Sequence, residues 1–373
     1  MTTAEAPTTD GSRRRARFHE LEVADVRPLT ADSVEVSFAV PTELTADYDY
    51  LPGQYVALRA RIDDREVRRS YSLCRPPSPG RISVGIKRDR GGLFSVWAHE
   101  NLRVGDRIEV MSPEGRFTSR LPSLDDAHLA GIAAGSGITP MMSLAASVLS
   151  SSPTARFTLV YTNRATQDVM FLDDLADLKD RYPARLALHH VLSREQRGAP
   201  VLSGRIDAEK LDTILDRLVP PASVSEWFLC GPFDLVALCR TALSARGVPD
   251  EDVRFELFTG DADGPRPERA GPVVADAGDA TVSIEFTLDG LSSTVESPLA
   301  ANEAILDAAL RVRGDVPFAC AGGVCGTCRA RVLEGEVRMT QNFALEPDEI
   351  ERGYVLTCQS HPQTPRVVVD YDG

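Results

Sequence analysis

The chain lacks any apolar run approaching the ~18 residues that a membrane helix needs. Its 373 residues have a mean hydropathy of -0.16, which suits a water-exposed globular protein. It is short of positive charge: 41 basic against 55 acidic residues leave a formal net charge of -14, a poor match for the phosphate backbone of a nucleic acid. Lysine is missing altogether from Ala280 to Gly373, where 14 acidic and 7 basic residues carry a net -7. That acidic quarter reads either as a solubilising surface or as a face for a positively charged protein partner. The six histidines are scattered, so no serine–histidine hydrolase arrangement can be assembled from local sequence. The seven cysteines are odd in number. No apolar stretch follows the basic Ser12–Arg17 segment, so the expectation is a reducing cytoplasm and not a disulfide framework.

A chain of this length predicts two or three domains. From about Phe18 to Leu121, short alternating segments (Ser33–Val40, Gln54–Ala60, Arg81–Lys87) punctuated by Pro52-Gly53, Pro76-Pro77 and Gly91-Gly92 predict half-buried strands and a small antiparallel barrel. From about Asp125 the texture changes. Strand-like His128–Ala133, Phe157–Tyr161, Leu186–Val191, Trp227–Cys230 and Val253–Leu257 alternate with helical patterns at Pro140–Leu149, Val169–Arg181, Asp207–Leu218 and Phe233–Arg246. That alternation predicts a parallel sheet covered on both faces. Gly260–Ala280, rich in Gly, Pro, Asp and Ala, reads as a linker. A hairpin over Thr281–Glu296 and a short helix over Ile305–Arg311 precede a cysteine-rich end.

There the spacing is Cys320-x4-Cys325-x2-Cys328, with Cys358 further on, which is the plant-type [2Fe–2S] spacing. Small residues between the thiolates let the backbone wrap closely around a cluster. Zinc is the competing ligand, but structural zinc favours two close pairs or added histidines. A redox dithiol would leave Cys320 and Cys358 without a role.

Two further constellations suit a flavin and a dinucleotide. Arg69-Ser70-Tyr71-Ser72 lies on a predicted strand whose alternation puts Arg69 and Tyr71 on one face and Ser70 and Ser72 on the other. The aromatic ring can lie against an isoalloxazine and the guanidinium can fork onto a phosphate. Lys87 to Trp97 places Gly91-Gly92 before a helix start that could hold a pyrophosphate, with Ser95 in its first turn. Gly135-Ser136-Gly137-Ile138-Thr139-Pro140 joins a strand to a helix, with Pro140 in place of the third glycine of the dinucleotide fingerprint. Cys230-Gly231-Pro232 ends a later strand at the sheet edge where such folds bind ligands. Ser193-Arg194 closes the preceding strand and suits an extra 2′-phosphate, although Glu195 beside it would suit a free ribose hydroxyl.

With these residues in place, the chain from Phe18 onward resembles a ferredoxin–NADP reductase-type oxidoreductase fused to a C-terminal plant-type ferredoxin. Its R-x-Y-S motif is matched by Arg69, Tyr71 and Ser72, and its pyrophosphate segment by Lys87, Gly92 and Ser95. Gly135, Gly137, Thr139 and Pro140 match the nicotinamide loop, Cys230–Pro232 the C-G-P motif, and Ser193 and Arg194 the 2′-phosphate pair. Glu256 and Phe258 match positions near the flavin. Within the group, the stretch from Cys320 to Gln359 is similar to reductase subunits of the phenylacetyl-CoA epoxidase type, which serve a di-iron oxygenase; reductases of ketosteroid 9α-hydroxylases, or of other aromatic-ring oxygenases, come second.

The resemblance implies FAD, NADPH and [2Fe–2S] as cofactors and an oxygenase as electron acceptor. It implies Tyr71, Ser72, Cys230 and Glu256 at the reacting centre, and Cys320, Cys325, Cys328 and Cys358 as metal ligands. The implied organisation is a basic tail (1–17), an FAD-binding antiparallel barrel (18–123), an NAD(P)-binding α/β domain (124–259), a linker (260–279) and a β-grasp α+β ferredoxin domain (280–373). A non-enzymatic redox-sensing ferredoxin module is the alternative from another class.

Overall fold

The computed structural model describes residues 17–63, 65–89, 91–258, 280–314, 316–318, 322–323, 326–345 and 347–373. The expected basic tail and linker lie almost wholly outside them, as do Cys320 and Cys325.

The first sheet is antiparallel and contains β1 (Phe18–Thr30), β2 (Ser33–Ala39), β3 (Tyr55–Ile62), β4 (Arg65–Ser72), β5 (Arg81–Lys87) and β6 (Arg107–Met111), in the order β4-β3-β6-β1-β2-β5. A bridge between Leu73 and Val84 joins its two ends, which curls the sheet into a barrel. Val36, Phe38, Val56, Leu58, Val84 and Ile86 fill the interior, and α1 (Leu93–Asn101) packs Phe94 and Ala98 against it.

The alternation in β2, β3 and β5 predicts one wet face, but most residues of all three strands are buried. The second face of the β2–β5 side meets the next domain. A Cβ on Gly85 would fall 2.6 Å from the Thr139 side chain and 3.2 Å from Met170, so glycine is what admits that contact. Glu35 and Ser37, polar in sequence, are only 5% and 3% exposed.

The second sheet is parallel: β7 (His128–Ala134), β8 (Arg156–Asn163), β9 (Leu186–Leu192), β10 (Glu226–Gly231) and β11 (Val253–Leu257), in the order β11-β10-β7-β8-β9. Four helices cover it: α2 (Ile138–Ser151), α3 (Leu172–Arg181), α4 (Ala208–Arg217) and α5 (Phe233–Ser244). Each face has its own apolar cluster, one around Phe157 and Tyr161 and the other around Trp227 and Leu229. Strand order reverses between β7 and β10, so a ligand crevice forms outside their carboxyl ends.

The third sheet pairs β12 (Thr281–Leu288) with β13 (Leu291–Pro298) as a hairpin. It continues through β18 (Arg366–Asp370), parallel to β12, to β14 (Arg329–Glu334) and β16 (Tyr354–Leu356). The strands β15 (Val337–Met339) and β17 (Ser360–Pro362) pair separately, and α7 (Pro347–Glu351) is a single turn. The helix α6 (Ile305–Val312) lies across the sheet with Ile305, Leu306, Ala308 and Ala309 inward. No helix among the described residues is long and apolar enough to cross a membrane.

Candidate functional site

The crevice of the parallel sheet is built by two glycine-bearing loops pressed together. A Cβ on Gly137 would lie 2.3 Å from the Cys230 carbonyl oxygen, and one on Gly231 would lie 3.0 Å from Ala134 Cβ. The loop after β7 and the end of β10 therefore approach as closely as glycine allows. Gly135 takes a positive φ of 54°, and its carbonyl accepts a hydrogen bond from the buried Tyr161 hydroxyl at 2.9 Å. Thr139 Oγ1 donates to the Ser136 carbonyl. Pro140 is the third residue of α2, where its missing N–H costs nothing.

The barrel contributes the opposite wall. In the β3–β4 register Arg69 and Tyr71 face the same way as Leu58 and Val56, while Ser70 and Ser72 face with Ala57 and Tyr55, as the alternation predicts. Tyr71 packs against Phe94 with ring centroids 5.7 Å apart. Gly92 caps α1, Gly91 has a positive φ of 82°, and Ser95 Oγ accepts from the Asp89 amide. Lys87 Nζ lies 3.6 Å from Asp32. The Ser70 hydroxyl is buried without a hydrogen-bond partner among the described residues. An orphaned polar group on the R-x-Y-S strand, whose other face packs Tyr71 against α1, fits a bound flavin nucleotide.

Where barrel and sheet meet, Ser72 Oγ donates to Glu256 Oε2 at 3.3 Å, and Glu256 on β11 pairs in register with Cys230 on β10. Residues expected at the reacting centre from three distant stretches are thus brought together. Desolvation pushes the Glu256 carboxyl up to about 7, against the lowering effect of the Ser72 hydrogen bond. Burial, reinforced by the Glu256 charge, drives the Cys230 thiol well above its ordinary value. Cys230 is therefore held as a neutral thiol and is no nucleophile. Phe258 follows, its amide donating to the Gly231 carbonyl.

Ser193 and Arg194 leave β9 with their amides held by the Asn163 and Arg164 carbonyls. The neighbouring Glu195 turns away: its carboxylate accepts from the Thr166 amide and hydroxyl at 2.6 and 2.8 Å, bonds that lower its pKa.

In the third domain Cys328 and Cys358 are buried at 1% and 9% exposure and are not in a disulfide. The Cys328 carbonyl accepts both the amide and the hydroxyl of Thr357, which ties the arm bearing Cys328 to the residue before Cys358. Gly323 and Gly326 take positive φ values of 77° and 71°. Two buried soft donors, Cys328 beside the glycine-turned loop and Cys358 on a distant turn tied to it through Thr357, suit a thiolate-bound cluster.

Sequence reasoning did not single out the residues that join this loop to the barrel. Tyr55 Oη and Thr327 Oγ1 are 2.6 Å apart, and Thr327 adjoins Cys328 while Tyr55 pairs with Ser72. Arg68 reaches the third domain: it is 2% exposed and donates to the Gly314 carbonyl just beyond α6. Tyr55, Arg116, Glu256, Thr327, Phe343 and Glu349 help to line a cavity of about 340 Å³ where the three domains meet. No local pattern could reveal these contacts, because each partner is hundreds of residues away.

Fold and site together define an NAD(P)H-linked flavoprotein reductase carrying its own iron–sulfur domain. Family models agree: an oxidoreductase FAD-binding domain matches residues 20–119, an oxidoreductase NAD-binding domain 132–241, and a 2Fe-2S iron-sulfur cluster binding domain 286–363. The chain is 44% identical over 355 residues to one of the 1,2-phenylacetyl-CoA epoxidase subunits of Escherichia coli, covering 95% of this chain and 98% of that protein. It is 37% identical to the ferredoxin reductase component of 3-ketosteroid-9-alpha-monooxygenase of Mycolicibacterium smegmatis, covering 95% and 97%. Phthalate dioxygenase reductase shares the fold at a TM-score of 0.57 and 24% identity, covering 95% of this chain and 98% of that one. The chain belongs to the family of flavin- and [2Fe–2S]-dependent reductase components that pass electrons to a partner oxygenase. The non-enzymatic ferredoxin module is thereby set aside.

Proposed function

We propose that this reductase draws electrons from NADPH and supplies a phenylacetyl-CoA epoxidase, a di-iron oxygenase. The observation that carries the electron route is the junction of Ser72, Cys230 and Glu256, one strand away from the Tyr55–Thr327 contact beside Cys328. Held by these residues, a flavin would supply hydride acceptance and single-electron release, and a [2Fe–2S] cluster one-electron transfer at about −400 mV.

The chain's own residues have distinct tasks. Arg69, Tyr71, Lys87, Gly92 and Ser95 hold the flavin nucleotide. Gly135, Gly137, Thr139 and Pro140 form the nicotinamide loop, Gly231 belongs to the C-G-P turn beside it, and Phe258 stands near the flavin. Ser72 and Cys230 orient the reacting rings without ionising, and Glu256, poised near neutral pH, holds or releases a proton beside them. Ser193 and Arg194 take the 2′-phosphate; the diversion of Glu195 to Thr166 supports NADPH over NADH. Cys320, Cys325, Cys328 and Cys358 hold the cluster. We keep the domain boundaries at 18–123, 124–259 and 280–373, a division that the three sheets support. Buried, unpaired Cys74, Cys230 and Cys239 are in keeping with a cytoplasmic location.

The 44% identity to an epoxidase component, against 37% to a ketosteroid monooxygenase component, favours the epoxidase as partner. The test is reconstitution of the purified reductase with each oxygenase. Epoxidation of phenylacetyl-CoA with NADPH supports the reading, and turnover with a steroid oxygenase alone refutes it.

A further inference from the structure

On the barrel side, the third domain is fastened around a buried carboxylate. Glu349 on α7 is 1% exposed. Arg116, in the loop after β6, donates to it with both terminal nitrogens at 2.6 Å, the paired geometry that suits guanidinium and carboxylate best. Arg329 donates to the same carboxylate at 2.5 Å from within the third domain and adjoins Cys328 in the chain.

On the barrel side, Arg116 lies two residues from Glu114, whose amide and carbonyl both bond Tyr55. Tyr55 in turn meets Thr327. The ion cluster and the Tyr55–Thr327 contact thus close a ring around the residues leading to Cys328. A separate contact reaches the nucleotide domain. Phe343, whose amide bonds the Gly323 carbonyl, meets the ring of Phe233 just after the Cys230–Pro232 turn, with centroids 6.1 Å apart.

We infer that Glu349 is a docking latch: it is a positioning residue that, through Arg116, holds the cysteine loop against Tyr55 and sets the separation between flavin strand and cluster loop. Two features make it a latch and not a permanent weld. Glu349 keeps Arg329 as a counter-ion if Arg116 departs, so opening leaves no buried carboxylate unpaired. Arg116 itself is 38% exposed and regains water on release. The barrel and nucleotide domains, by contrast, share buried apolar side chains as well as ion pairs. The inference rests on the electron route proposed above.

The test uses the full-length, cofactor-loaded protein and Arg116→Ala, a change outside both the third domain and the cofactor sites. X-ray scattering, or fluorescence transfer between labels on the barrel and the third domain, reports docking independently of turnover. The expected result is a larger mean separation. In stopped flow, flavin reduction by NADPH stays within about twofold while cluster reduction slows about tenfold or more, as for the loss of a forked pair of charge-assisted hydrogen bonds. Arg116→Lys, which keeps the charge and loses the fork, should fall between. Glu349→Gln should repeat the effect; if that variant loses its cluster, Arg116→Ala alone decides. An unchanged separation in Arg116→Ala overturns the inference, and so does equal slowing of flavin and cluster reduction.

Discussion

The fixed junction between barrel and nucleotide domain offers a sharp test of how the first two domains act as one unit. Asp174 on α3 accepts Arg27 at 2.8 Å and Arg75 at 2.7 Å, while both arginines also grip Glu35 on β2. Replacing Asp174 by Asn keeps the shape and removes the charge. Hydrogen bonds to charged groups contribute about 1.5–3 kcal/mol each, so two of them set a ceiling of roughly 3–6 kcal/mol. That ceiling must be discounted, because Arg27 and Arg75 are 39% and 33% exposed and Glu35 still holds both. Roughly 2 kcal/mol remains after allowing for solvent screening, about a thirtyfold change in an equilibrium constant.

The chain's two tryptophans make the assay direct, since Trp97 lies on α1 in the barrel domain and Trp227 on β10 in the nucleotide domain. Single-tryptophan variants followed in urea should unfold together in the parent background. With Asp174→Asn, the midpoints should fall and separate. A midpoint shift worth less than about 0.5 kcal/mol, the ordinary size of a surface substitution, with both probes still coincident, would refute the idea that this ion network couples the domains.

Other outcomes follow from the same geometry. Because burial raises Glu256 to about 7, its folded-state pKa lies above the unfolded value. The protonated form is thus favoured by folding, and its contribution to stability declines as pH rises from about 4.5 to 7. Stopped-flow hydride transfer should show a step near pH 7 that is absent in Glu256→Gln; persistence of the step would assign it elsewhere. Glu35 and Asp174 are held below their ordinary values by Arg75 and Arg27 against the cost of burial. Their stabilisation is therefore complete at neutral pH and lost only as acid titrates them below the usual carboxylate range, which acid unfolding of Asp174→Asn checks. Arg194→Ala should raise KM for NADPH about tenfold, in line with a lost charged hydrogen bond, and leave KM for NADH nearly unchanged. Equal shifts would remove Arg194 from the 2′-phosphate site. Cys358→Ser should abolish reduction of a one-electron protein acceptor while flavin-linked dye reduction survives; loss of both would contradict a modular route.

What could be read in advance was whatever is local. The switch-point loop at Gly135–Pro140, the Cys230–Pro232 turn and the cysteine spacing each depend on neighbours in sequence, so their residue types announce them. The faces of β4 were legible for the same reason, since a strand's alternation is set by its own backbone. The face of β2 was misread. Glu35 and Ser37 carry the polar signature of a solvent side, yet Ser37 bonds Ser83 inside the barrel and Glu35 holds the two arginines that grip Asp174 of the nucleotide domain. A polar residue facing water and one facing a complementary domain obey the same alternation, so periodicity cannot separate them. The same blindness hid Arg116, Tyr55 and Glu349.

The hidden residues are also the ones that decide how the domains relate. Between barrel and nucleotide domain, the Arg75 carbonyl accepts Tyr50 and Ser143 hydroxyls while its guanidinium grips Glu35 and Asp174. Buried Cys74, Phe117 and Leu144 fill the space alongside. Among the described residues the fastening around the third domain is mainly polar: a forked carboxylate, a hydroxyl pair and carbonyls capped by Arg68, with aromatic contacts where Arg68 lies over Phe318 and Phe343 meets Phe233. Apolar contact cannot be exchanged for water without loss, whereas polar groups on both sides can be rehydrated as they part. A reductase that takes a hydride at one junction and hands electrons to a separate protein gains from that difference: the hydride junction must stay fixed, and the electron-carrying domain must be able to let go.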